Sequence, residues 1–182
     1  MSTLKVSTIS PLGTDATKTI TIGSSGDTIN LAGSAYAAAA NTPAFEAYPS
    51  AELSVASGAS VKVVANVEKF DIGGNYDNSS NYRFTPNVAG KYFCYCSYTY
   101  NLSQTGIQLV AELRKNGTAV LSGNHENAGN INFLTNVVLG VVEFNGSSDY
   151  LEMFTSTNSG ATRTLATNSQ RVYFGAYKLI GV

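Results

Sequence analysis

Near its end the chain carries a segment, Val172-Tyr173-Phe174-Gly175-Ala176-Tyr177-Lys178-Leu179, that is apolar on both of the faces a strand can present. Successive side chains of a strand point to opposite sides. Val172, Phe174 and Ala176 therefore belong to one face, and Tyr173, Tyr177 and Leu179 to the other. Such a strand needs cover on both sides. One cover is the chain's own core, and the other is another chain, because large aromatics on an open sheet face are usually buried by a partner.

The rest of the sequence repeats the strand signal and punctuates it with turns. Strands are expected at 44–48, 61–67, 82–84, 90–100, 106–115, 131–144 and 148–157, with turns at 57–60, Asn116-Gly117 and Asn145-Gly146. Asn-Gly is a strong hairpin signal because both residues tolerate positive φ. No segment has a convincing helical period, so the expected class is all-β, a sandwich or barrel. Residues 1–40 differ in character from the remainder of the chain. There Thr19-Ile20-Thr21-Ile22 is echoed by Thr28-Ile29-Asn30-Leu31 across a Ser-Ser-Gly-Asp turn, a small hairpin with Ile20, Ile22, Ile29 and Leu31 on one face. An isolated two-stranded hairpin is marginal in water. These residues are therefore expected to dock on another protein, with a 1–40 arm and linker preceding a 41–182 head.

Composition narrows the function classes. Eleven Lys and Arg against twelve Asp and Glu, without a basic cluster, lack the footprint of a nucleic-acid binder. No stretch approaches the roughly 20 apolar residues of a membrane span, and the start lacks a secretory signal pattern, so neither membrane insertion nor conventional export is expected. Cys94 and Cys96 are two apart on one strand, which suits two buried free thiols better than a disulfide. No cofactor motif is present, and no nucleophile elbow or phosphate cradle accompanies His125 and Asp149, so a non-enzymatic protein is expected.

Several motifs then fall in a familiar order. Pro43-Ala44-Phe45-Glu46-Ala47, Phe70-Asp71 with Tyr76-Asp77, Tyr82-Arg83-Phe84-Thr85-Pro86-Asn87-Val88-Ala89-Gly90-Lys91-Tyr92, Leu113-Arg114-Lys115-Asn116-Gly117, and Val142-Glu143-Phe144 through Asp149-Tyr150-Leu151-Glu152 resemble the globular head of complement 1q. The closing strand resembles that of the related tumour necrosis factor superfamily. The resemblance implies a ten-stranded jelly-roll β-sandwich that assembles as a homotrimer, with Tyr173, Tyr177 and Leu179 at the interface. Some members of that family bind calcium. Asp71, Asn75 and Asp77 could supply oxygen ligands, although they lack the regular Asp-x-Asp-x-Asp-Gly order and also read as a solvated turn.

No collagen-like stalk precedes the head. The Thr-Ile hairpin, led by Leu4-Lys5-Val6-Ser7-Thr8-Ile9, is similar instead to the start of tailed-phage fibre and decoration proteins. That implies a virion surface protein, either a fibre or spike tip that binds a host glycan or protein or a capsid decoration that stabilises the shell. A secreted cytokine- or complement-like ligand is the alternative from another class. Receptor contacts are expected in loops carrying Tyr76, Asn78, Asn101, His125, Asn127 and Arg163, since loops on a rigid sandwich are the usual recognition surface. The Asn-x-Ser/Thr sites at Asn78, Asn101, Asn116 and Asn145 read most simply as turn residues.

Overall fold

The computed structural model describes residues 41–101, 107–127, 132–167 and 169–180. The proposed arm, with Ile20, Ile22, Ile29 and Leu31, lies outside the described residues. The described chain forms thirteen strand segments: β1 (Ala44–Tyr48), β2 (Leu53–Val55), β3 (Ser60–Lys62), β4 (Val67–Ile72), β5 (Tyr76–Asp77), β6 (Arg83–Phe84), β7 (Gly90–Asn101), β8 (Ile107–Lys115), β9 (Thr118–Asn127), β10 (Phe133–Phe144), β11 (Leu151–Asn158), β12 (Arg163–Leu165) and β13 (Tyr173–Lys178). Several are two- or three-residue pieces, so the segments outnumber the ten strands of the expected sandwich.

They make two antiparallel sheets. In the first, β10 runs along one edge of β7, while β13 and β12 share its other edge; β2 flanks β12, and β1 and then β4 come after β13. In the second the order is β5, β6, β11, β8, β9, with β3 also on β11. The chain crosses between sheets from β7 to β8, from β9 to β10, and from β10 to β11. Facing sheets that exchange strands in this way form a jelly-roll sandwich.

Alternation explains which residues fill it. On β7 the inward row is Tyr92, Cys94, Cys96, Tyr98 and Tyr100, all buried. Ile107, Leu109, Ala111 and Leu113 of β8 face them from the other sheet. At one end the core is aromatic: Phe45 stacks on Tyr76 and on Phe84 at 4.5 Å each and meets Phe174 edge-on at 4.8 Å. Truncating Phe45 to Ala would cost about 3–5 kcal/mol.

Buried phenols need acceptors, and each finds one. The Tyr98 hydroxyl lies 3.1 Å from Glu112 O and 2.9 Å from Phe154 O, two residues that pair with each other across β8 and β11. Tyr100 reaches Thr155 Oγ1 at 2.7 Å, and that hydroxyl donates onward to Val110 O at 2.9 Å. The sheets are thus joined by hydrogen bonds as well as by packing.

Three expectations need correction. Residues 61–67 are not one strand: after β3 the chain leaves β11, buries Val63 and Ala65, and crosses to the first sheet as β4. Residues 124–127, expected as loop, complete β9 and pair with 107–110 of β8. Arg163, also expected in a loop, lies on β12 opposite Val55. The Asn116-Gly117 turn forms as expected, with φ of 52° and 81°.

Both cysteines are buried free thiols. Burial pushes each up to about 12, so the reactive thiolate is scarce at neutral pH. The native protein should therefore resist a maleimide at pH 7.5 and label only as fast as it unfolds, with both thiols reacting quickly in denaturant. Stoichiometric labelling without denaturant, read by mass spectrometry, would contradict this burial.

Candidate functional site: the outer face of the first sheet

The outward residues of β13 stand beside those of its neighbours, and together they make one broad apolar surface. Tyr173 and Tyr177 pack against Phe93 and Tyr95 of β7, with ring centroids 5.5 Å apart for Phe93 and Tyr177 and 6.1 Å for Tyr95 and Tyr173. Leu179 comes next on the same side, its N–H bonded to Lys91 O at 2.9 Å. On the edge strand β10, Val137, Leu139 and Val141 continue the surface, each more than half exposed. At the far edge Phe70 and Ile72 of β4 are exposed, opposite Glu46 and Ala44. A long apolar edge strand beside an apolar face is an aggregation hazard unless something covers it.

Lys91 and Glu143 face each other at one end of this surface and Thr99 and Thr135 at the other, and a third polar group lies near its centre. Between Glu46 and Ala47 the β1–β4 register slips, leaving Lys69 as the extra residue of a bulge. Bulges re-aim side chains. Here the ammonium bonds to Glu46 Oε1 and lies 5.5 Å from the Tyr173 ring centroid. The Tyr95 hydroxyl donates to Glu46 Oε2 at 2.7 Å, and burial, reinforced by that carboxylate, raises its pKa well above the ordinary value. A shallow depression of about 600 Å³ lies here, lined by Phe93, Tyr95, Val137, Leu139 and Tyr173 among others.

The other sequence candidates are placed differently. Tyr76 is a correction: it is only 7% exposed, stacked on Phe45 with its hydroxyl on Ala65 O, and belongs to the core instead of a recognition loop. Asn78 is half-buried in the turn after β5. Asn101 ends β7 opposite Thr164, which brings it beside Arg163. His125 is exposed on β9 opposite Leu109, and Asn127 pairs with Ile107 at the end of that strand, so neither joins Arg163 on one sheet.

The calcium candidates are occupied by their own backbone. Asp71 accepts the N–H groups of Asn75 and Tyr76, and Asn75 bridges Gly73 O and Asn87 N. Asp77 accepts from the backbone of Ser79, Ser80 and Asn81, which holds its carboxyl well below the usual range. Among the described residues no three His, Cys, Asp or Glu side chains gather as a metal-binding group. Asp149 is likewise structural. Lys115 at 2.8 Å and Asn116 at 2.7 Å push it down to about 2, and it closes the 145–149 turn on the β8–β9 hairpin.

Sequence reasoning missed Phe70, Ile72, Glu46, Lys69 and the β10 row as parts of this face. A signal for β10 exists: Val137-Val138-Leu139-Gly140-Val141-Val142 is apolar at consecutive positions, which marks a strand covered on both sides. The bulge at Lys69 leaves no such trace.

No protein-family model matches the sequence, and no curated protein is similar to it. Solved structures do match. Crystal structures of murine APRIL at pH 5.0 and pH 8.0 superpose with TM-scores of 0.57 and 0.56 at 12% and 13% identity, each covering 75% of this chain and 98% of the other. The fold is therefore a jelly roll of the tumour necrosis factor type.

The Asp149 cluster makes a pH prediction. Its folded pKa lies below the unfolded value of about 4, so its contribution is complete above that pH and is lost as pH falls towards about 2. Asp149→Asn should be less stable than the parent at pH 7, and the gap should close in that window. A gap that stays constant down to pH 2, measured by denaturant melts, would remove Asp149 from the acid response.

Proposed function

We propose that this chain is a non-enzymatic, homotrimeric surface protein of a bacteriophage virion, a fibre or spike tip that docks through its N-terminal arm and presents the jelly roll to the host surface. The observation that carries the oligomer is the outer face of the first sheet, where Phe70, Ile72, Val137, Leu139 and Val141 are exposed and the rings of Phe93, Tyr95, Tyr173 and Tyr177 lie half-buried between them. Identical copies packed head to tail over this face would close a ring. The virion assignment rests on the resemblance of the Thr-Ile arm to phage attachment segments. Host binding would use the loop ends near Asn101 and Arg163, a glycan or protein being the expected ligand. A secreted ligand is the second reading, and it rests on the same fold.

Replacing Tyr173 and Tyr177 together with Asp places two charges where cover is expected, and should convert a trimer into monomers or insoluble chains by light scattering. An unchanged trimer would sink the assignment of this face. Immunogold labelling with antibody to the full chain should decorate phage particles from the source culture; label confined to soluble protein would favour the secreted ligand.

A further inference from the structure

Hydrophobicity alone does not decide which face of β10 turns inward. The inward row is Leu134, Asn136, Val138, Gly140, Val142 and Phe144, and the outward row is Phe133, Thr135, Val137, Leu139, Val141 and Glu143. Each row carries four large apolar side chains. A one-residue slip along β7 would exchange the rows and bury nearly the same apolar surface. The far end of the strand is held by the turn that follows it: a Cβ on Gly146 would lie 2.2 Å from Ala89 N, so that turn sits tightly on the chain leading into β7. A single bulge ahead of the turn would still absorb the slip. Glu143 favours the observed face, but only at that same end. The middle of the strand must be fixed from elsewhere.

The fixing contact comes from β9, the edge strand of the other sheet. Gly140 lies beneath Leu121, where a Cβ would be 2.5 Å from Leu121 Cδ2 and 3.0 Å from Cδ1. Gly123 is filled in return, since a Cβ there would be 2.8 Å from Val138 Cγ2. Leu121 and Gly123 of β9 thus mesh with Gly140 and Val138 of β10, each large side chain taking the space that a glycine leaves. Asn136 ties down the same row, its Nδ2 donating to Gly123 O at 2.8 Å. After a one-residue slip, Leu139 or Val141 would stand beneath Leu121 in place of Gly140. Either would overlap it.

We propose that the Leu121–Gly140 contact is a register lock that decides which row of β10 faces outward, and hence which side chains lie beside Phe93 and Tyr95 on the first sheet. Locked, that row presents Val137, Leu139 and Val141; slipped, it would present Asn136, Val138, Gly140 and Val142. The lock acts within one chain, so the inference holds whatever covers that face.

Residue-resolved hydrogen exchange on the full-length chain reads the register, because only alternate amides of an edge strand bond to its neighbour. The parent should show slow and fast amides alternating along residues 134–142. Leu121→Ala removes the obstacle and leaves a gap that Leu139 or Val141 can fill. It should produce a second population in which the fast set is protected and the slow set is not. Fraying cannot do this, since it only speeds exchange. Adding Gly140→Val to Leu121→Ala lets the observed row fill the gap itself, and should return the single parental pattern. A Leu121→Ala chain with only the parental pattern overturns the inference, as does a parent without alternation. If Leu121→Ala loses the parent's β-sheet circular dichroism, Gly140→Val alone, which crowds the observed row, decides by the same readout.

Discussion

Strand β7 is the constraint on which the molecule is built. It pairs with three other strands, and every second side chain serves a different purpose. Its inward row of three tyrosines and two cysteines supplies the middle of the core; the second sheet offers Tyr98 the acceptors Glu112 O and Phe154 O and offers Tyr100 Thr155 Oγ1, while Tyr92 donates to Val88 O. An unsatisfied buried hydroxyl would forfeit much of what its ring contributes. The spacing of the sheets and the register of β8 against β11 are therefore fixed by where those hydroxyls end. Its outward row, Phe93 and Tyr95, then sets the character of the opposite surface.

The two outer faces of the sandwich differ in kind. The second sheet turns Lys62, Glu112, Arg114 and Glu152 outward, where Lys62 pairs with Glu152 at 2.5 Å and Arg114 covers Phe154 at 4.1 Å while bonding Glu112. These pairs are part-buried, and Glu152 is only 8% exposed. Their effect is to keep that face wet and unattractive to neighbours. The first sheet has a more apolar surface, where rings and methyl groups surround the Tyr95, Glu46 and Lys69 contacts. The two faces therefore differ in what they offer a neighbour.

Much of this is legible in the sequence because it rests on period two. The double-faced pattern of 172–179 correctly places Phe174 inside and Tyr173 and Tyr177 outside, and the Asn116-Gly117 hairpin turn is dictated by backbone chemistry alone. What escapes depends on pairing. Strand β9 reads as polar from Ser122 to Asn127 and has the composition of a loop over its last residues, yet ladder hydrogen bonds to β8 hold it extended. Tyr76 has the setting of a loop aromatic because Gly73, Gly74 and Asn75 precede it; only the fold brings Phe45 over its ring. The Tyr95, Glu46 and Lys69 contacts on the outer face are a product of three-strand register and one bulge, and no local pattern encodes them.

The position of β1 has a mechanical consequence. This first described strand does not lie at an edge; it is bonded to β13 on one side and to β4 on the other. Tension entering the head at Asn41 and directed along β1 would load both ladders in shear, so many hydrogen bonds must yield together instead of opening one after another like a zip. A head tethered by its N-terminal side is thereby held at a strong point of its sheet, and the force needed to extract it is set by the length of β1 and not by the strength of any single contact.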